Sequence, residues 1–298
     1  MKQNDLTQSE RNIYNNLNSQ VKTVFKHSNE CSFKTRERYE DAMHSFAKFL
    51  AVEFRKEKIG KIKNMHIEKY VSYMQTKGYS TSYVTTNISA IRYFYSKLTG
   101  GKFKIKSNRE LGVNPKTKAE RIGVDRAIDD RAYNKIIESA KIVGRNDFVL
   151  KIKLAEKFGL RIHEVFSLRR SQIKKAIKNN ELEVKGKGGL IRTIPASEKD
   201  KAFLKESIQH NETKSDRIFV RDNEKTHLKI KELQEFIREF RDNKNDSYKY
   251  TFHSIRHRYA QEVYKSFMKS GKSDKEARYI LAKRLGHNRT SITEVYLK

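Results

Sequence analysis

Cysteine occurs once in this 298-residue chain, acidic residues are outnumbered by basic ones, and no apolar run is long. With Cys31 alone, neither an internal disulfide nor a thiolate-rich zinc site can form within the chain, and a reducing cytoplasm fits. No stretch approaches the roughly 20 apolar residues of a membrane span, so no membrane partner is expected. The start, Met1 to Asp5, has no apolar core of the kind a secretory signal needs, and nothing directs export. No internal repeat is found.

The shortage of acids is informative. Lys and Arg total 65 against 36 Asp and Glu, a formal charge of +29. A surplus of that size suits a polyanion, because neutralising phosphates releases condensed counterions. A lysine-rich genome, a ribosomal setting or an anionic membrane surface would also raise the charge. However, 16 Phe and 15 Tyr are the aromatic content of a folded protein, not of a basic tail. The length allows two ordinary domains.

Residues 1–32 read as a polar appendage with a weak stripe of Ile13, Leu17, Val21, Val24 and Phe25. From Thr35, apolar residues at Tyr39, Met43, Phe46, Leu50 and Phe54 recur at spacings of three and four, which predicts a helix. Ile67, Tyr70, Val71 and Met74 predict a second, stopped by Gly78. Val84, Ile88, Ile91, Tyr95 and Leu98 predict a third, with N-caps among Ser80, Thr81 and Ser82. Residues 33–100 are therefore expected to be a helical bundle and 101–126 a solvated basic linker. Residues 127–298 are expected to form a mainly α domain with a small antiparallel β-sheet. Its predicted strands are Gln172 to Ile177, Leu182 to Val184 and Arg192 to Pro195.

Four short patterns could carry chemistry: Gly159-Leu160-Arg161-Ile162-His163-Glu164, Gly186-Lys187-Gly188-Gly189, His253-Ser254-Ile255-Arg256-His257 and Leu285-Gly286-His287. Tyr296 follows the last histidine by nine residues. Each alone is weak. Arg-x-x-Glu on a helix is commonly a surface ion pair, Gly-Lys-Gly-Gly a hairpin turn, and a terminal tyrosine packing. His253 and His257, one helical turn apart, are formal zinc candidates, but they lack Cys or Glu partners.

In this order the patterns resemble the tyrosine recombinase and integrase family over about residues 33–298. The resemblance implies a two-domain C-shaped clamp, with an N-terminal helical, SAM-like core-binding domain and a C-terminal α+β catalytic domain. By that likeness Arg161 and Arg256 are the catalytic arginines and Glu164 supports the first of them. Lys187 is the hairpin lysine, His253 and His287 are the catalytic histidines, and Tyr296 is the nucleophile. His257 would support the site. The implied partners are double-stranded DNA, a tetramer of the chain on DNA, and accessory bending or directionality factors. The ending after Tyr296 is similar to integrases of some bacterial mobile elements, and a Xer-like role stays open beside it.

The chemistry agrees with these borrowed roles. Attack on a phosphodiester builds charge on its nonbridging oxygens, which two guanidinium forks can match. Imidazoles near neutrality can exchange the phenol's proton, and an ammonium can protonate the leaving 5′ oxygen. A phosphotyrosyl bond keeps the bond energy, so neither ATP nor metal is expected, and no cofactor is expected either. Clustered carboxylates for two metals are not evident; Asp129-Asp130 reads as a helix start. Thr35, Ser82 and Arg92 are candidate DNA contacts, with ordinary capping or a solvated charge as the alternative. A catalytically silent DNA-binding protein of the same fold and a type IB topoisomerase are the competing readings. All six catalytic positions being filled argues against the first, and the helical bundle against the second.

Overall fold

The structure is a computed structural model that describes residues 6–26, 30–115, 117, 120, 122, 124–209, 215–241 and 249–297. The chain divides into two compact units between residues 117 and 118.

In the first unit, helices α1 (Gln8–Lys26), α2 (Phe33–Phe54), α3 (Asn64–Thr76) and α4 (Thr81–Thr99) enclose one core. Each helix begins or ends where the side chains dictate. Ser32 Oγ accepts the Thr35 N–H at 3.3 Å, and Ser80 Oγ accepts that of Tyr83 at 3.3 Å. Gly100, at φ +59°, closes α4. Met43, Phe46 and Leu50 of α2 meet Ile67 and Tyr70 of α3 and Ile88, Ile91 and Phe94 of α4.

Two stretches differ from the sequence expectation here. The stretch read as an appendage carries α1, whose Leu17, Val21 and Phe25 are buried in the bundle core, each contributing about 2 kcal/mol. The stretch read as a solvated linker returns to the same core at Leu111 and Val113, with Phe103 and Ile105 packed against it. These apolar residues alternate with lysines and polar groups, so composition hides them while the alternation lets one face dock. Arg92 fixes this return: its guanidinium donates to Asn108 Oδ1 at 2.7 Å and to the Lys106 carbonyl at 2.5 Å.

The second unit runs α5 (Asp130–Ile142), α6 (Asn146–Phe158), α7 (Ile162–Phe166), α8 (Arg170–Asn179), β1 (Glu181–Lys185), β2 (Ile191–Pro195), α9 (Glu198–Gln209), α10 (Thr226–Phe240), α11 (Phe252–Lys269) and α12 (Asp274–Leu285). A 3-10 turn, Thr290–Val295, leads into Tyr296. The two strands pair antiparallel from Glu181 with Pro195 to Lys185 with Ile191. Leu182, Val184 and Ile194 face a core shared with Ile152, Phe158, Phe166, Leu233 and Ile255. The expected strand at Gln172 to Ile177 is instead part of α8. Ile173 and Ala176 are buried there, with Ile177 packed beside them, at helical spacing, so periodicity overrides the β preference of isoleucine. Among the described residues no helix is long and apolar enough to cross a membrane.

Candidate active site

Glu164 is the hub of the second unit. It is fully buried in α7, and its carboxylate receives the backbone N–H of Arg161 at 2.7 Å and Arg161 Nη1 at 2.8 Å. Arg192, on β2, adds a two-pronged contact at 2.9 and 2.8 Å. Arg256 Nη1 stands 3.8 Å away. Burial alone would raise the carboxyl, but the Arg192 contacts, the Arg161 N–H and the Arg256 charge outweigh it and hold Glu164 at about 2. Three guanidiniums against one carboxylate leave two surplus positive charges, an electrostatic arrangement suited to a phosphate.

Arg256 lies one turn into α11 and is wholly buried. Its Nη1 donates to the Gly159 carbonyl and its Nη2 to the Leu285 carbonyl, so the ends of α6 and α12 converge on it. Burial pulls its guanidinium down to about 10, and it stays charged at neutral pH. Gly159 must be glycine: its φ is +58°, and a Cβ there would overlap the ring of Tyr259.

Tyr296 meets this cluster from the chain's other end. Its ring is 5% exposed and packs with Tyr259, Leu281 and Leu285. Its hydroxyl lies 3.4 Å from Nε2 of His253 and 3.4 Å from Nε2 of His287. The Arg256 guanidinium is 5.9 Å from the ring centroid. A phenol has one proton, so it can donate to one imidazole and accept from the other, which requires opposite tautomers of the two rings. Burial, then Arg256 and Arg161, lower His287 to about 4. Burial, then Arg256, Arg161 and Arg126, shift His253 in the same direction, although the residue keeps contact with solvent. Both rings are therefore neutral at pH 7, the state in which a nitrogen can take a proton. His257, one turn after His253, is 2% exposed and stacks on the Tyr296 ring.

Arg161, Glu164, His253, Arg256, His257, His287 and Tyr296 thus come together from four separated stretches. Lys187 lies in the 3-10 turn between β1 and β2; its backbone is described and its side chain is not. Thr35, Ser82 and Arg92 belong to the first unit. Thr35 Oγ1 shares a 2.8 Å hydrogen bond with Ser32 Oγ, Ser82 is exposed in the first turn of α4, and Arg92 is engaged by Asn108 and Lys106. The sequence reading missed Arg192. It also missed Arg126, whose charge acts on His253 and His257. The segment around Arg126 is held along α11, by Gln261 donating to Asp125 at 2.9 Å and by the Ile128 N–H donating to the Ser254 carbonyl at 3.2 Å. Both arginines sit among many others in a basic chain, so only their tertiary surroundings mark them. Beside the cluster, Arg161, His163, Arg238, Arg241 and His253 line a depression that has no carboxylate among its lining residues.

The family model described as phage integrase family matches residues 126–298, and that described as phage integrase, N-terminal SAM-like domain matches residues 17–105. Solved structures with the same fold include a XerH site-specific recombinase bound to palindromic difH substrate, at 16% identity and TM-score 0.63 over 98% of this chain and 85% of that one. A lambda integrase tetramer bound to a Holliday junction matches at 17% identity and TM-score 0.65 over 95% and 77%. The Tn1549 transposon integrase in complex with transposon right end DNA matches at 13% identity and TM-score 0.63 over 96% and 94%. Comparison with curated proteins gives no significant match.

Proposed function

From the premise that the chain belongs to the phage integrase family, the tyrosine recombinases, we propose that it is a site-specific DNA recombinase acting through a 3′-phosphotyrosyl bond to Tyr296. The observation that carries this reading is the placement of the Tyr296 hydroxyl 3.4 Å from both His253 and His287 and beside the buried arginine cluster.

In the proposed reaction the Tyr296 oxygen attacks the scissile phosphorus, a tyrosyl O–P bond forms and the P–O5′ bond breaks. The phenolic proton passes to whichever of His253 and His287 accepts it, and the other imidazole donates to the developing negative charge. Arg161 and Arg256 offset the charge on the nonbridging oxygens. Lys187 protonates the departing 5′ oxygen. A free 5′ hydroxyl reverses the sequence on the phosphotyrosine and reseals the strand, so neither ATP nor a metal ion enters the balance. Duplex DNA is the substrate and a tetramer of the chain the working assembly, as the DNA-bound and junction-bound structures of similar fold suggest. The reaction integrates, excises or resolves a mobile element or replicon in the cytoplasm, with accessory DNA-bending or directionality factors where the sites require them.

Covalent trapping tests the proposal. Wild type and Tyr296→Phe are incubated in EDTA with nicked duplexes carrying the ends of the host element. The expected result is an SDS-resistant protein–DNA adduct formed by wild type only. Good DNA binding with no adduct on any candidate site would instead support a catalytically silent DNA-binding protein.

A further inference from the structure

Arg192 belongs to none of the motifs singled out in the sequence, yet it connects three of them. It is 7% exposed on β2, the strand that returns from the turn holding Lys187. Its two terminal nitrogens donate to the two oxygens of Glu164 at 2.9 and 2.8 Å, and Glu164 in turn holds Arg161. Its Nε donates to the Arg284 carbonyl at 2.8 Å, in the last turn of α12. The stem of Arg192 packs against Gly286, where a Cβ would come within 2.9 Å of Arg192 Cδ. Gly286, at φ +66°, turns the chain from α12 into His287.

We infer that Arg192 is a positioning residue for the recombination chemistry, locking β2, the Arg161–Glu164 pair and the His287 turn into one frame. The inference rests on the recombinase reading for its effect on rate. The guanidinium is suited to the task because its planar fork fills both carboxylate oxygens while Nε remains for the carbonyl, which an ammonium on a flexible stem cannot reproduce. Loosening the frame by about 1 Å would cost on the order of 100-fold in rate.

The test is Arg192→Lys, alone and combined with His287→Ala, in single-turnover cleavage at saturating DNA. Arg192→Lys should cut about 100-fold more slowly with unchanged DNA affinity. If Arg192 acts through His287, the double variant should be little slower than the slower single, whereas effects that multiply would show that the two act independently and overturn the coupling of Arg192 to the His287 turn.

A second readout needs no reaction. In the free protein, the NMR titration of His287 should move from about 4 towards the ordinary histidine value in Arg192→Lys as the ring loses its fixed, enclosed position. An unmoved titration would overturn the positioning role even if wild type forms no adduct. A wild type without adduct but with a shifted His287 would sink the proposed function and leave the frame standing. Circular dichroism checks folding; loss of fold in both Arg192→Lys and Arg192→Gln would make Arg192 a core residue and overturn the inference.

Discussion

The imidazole of His257 lies flat on the phenol of Tyr296, with ring centroids 4.4 Å apart and 28° between the planes. Among the described residues Nδ1 of His257 is buried without a hydrogen-bond partner, and the ring meets Tyr296 through its face. Stacking of this kind is worth about 1 kcal/mol and sets the angle at which the hydroxyl points between His253 and His287. His257→Ala should slow adduct formation about tenfold in single-turnover assays, while His257→Phe should stay near the wild-type rate. Equal loss in both variants would show that a nitrogen of His257 is needed.

Glu164 is the buried counter-charge for the arginine cluster. Glu164→Gln keeps the shape but leaves three guanidiniums without their acid. Removing one partner of a buried ion pair costs about 3–5 kcal/mol, because the other charge stays desolvated. The guanidinium chloride midpoint should fall accordingly, and adding Arg192→Met should recover part of the loss. No recovery would mean that Arg192 is stabilised by other groups.

Gly159 carries two constraints at once, a left-handed backbone and the Tyr259 ring against its α-carbon. Gly159→Ala must push back the residue whose carbonyl holds Arg256. A destabilisation of about 1–3 kcal/mol is expected by thermal denaturation, with a larger proportional loss of cleavage. Shrinking the obstacle with Tyr259→Leu should return part of the stability; the strain from φ would remain.

Acid should unfold the second unit by an identifiable route. Burial lowers His257 to about 3, with His253, Arg126 and Arg256 adding repulsion. Its unfolded value is near 6.5, so between those limits only the unfolded chain binds the proton. The stabilisation is complete above 6.5 and is lost as pH falls towards 3, at up to about 1.4 kcal/mol per pH unit for this one group. His253 and His287 shift the same way. Glu164 adds its own loss between 4.5 and about 2. Thermal midpoints should therefore drop as pH is lowered from 6.5 to 4, with a shallower fall in His257→Phe. Parallel curves for the two proteins would contradict the assignment.

The sequence by itself determined the bundle helices, the hairpin and the identity of the residues now gathered around Tyr296. Helical spacing, caps and short motifs are local signals, written within a few residues of where they act. Where the sequence reading failed, periodicity and composition pointed different ways, as for the helix at Ile173 and Ala176, and for Leu111 and Val113 among lysines. Only the tertiary structure decided that Arg192 closes on Glu164 and Arg284, that Arg92 is spent on residues 106 and 108, and that Arg256 is held between the ends of two helices. In a chain with 65 lysines and arginines, no local pattern distinguishes a buried arginine from a solvated one. That distinction rests on partners supplied from distant stretches, because a charge leaves water only where the fold has assembled groups to replace it.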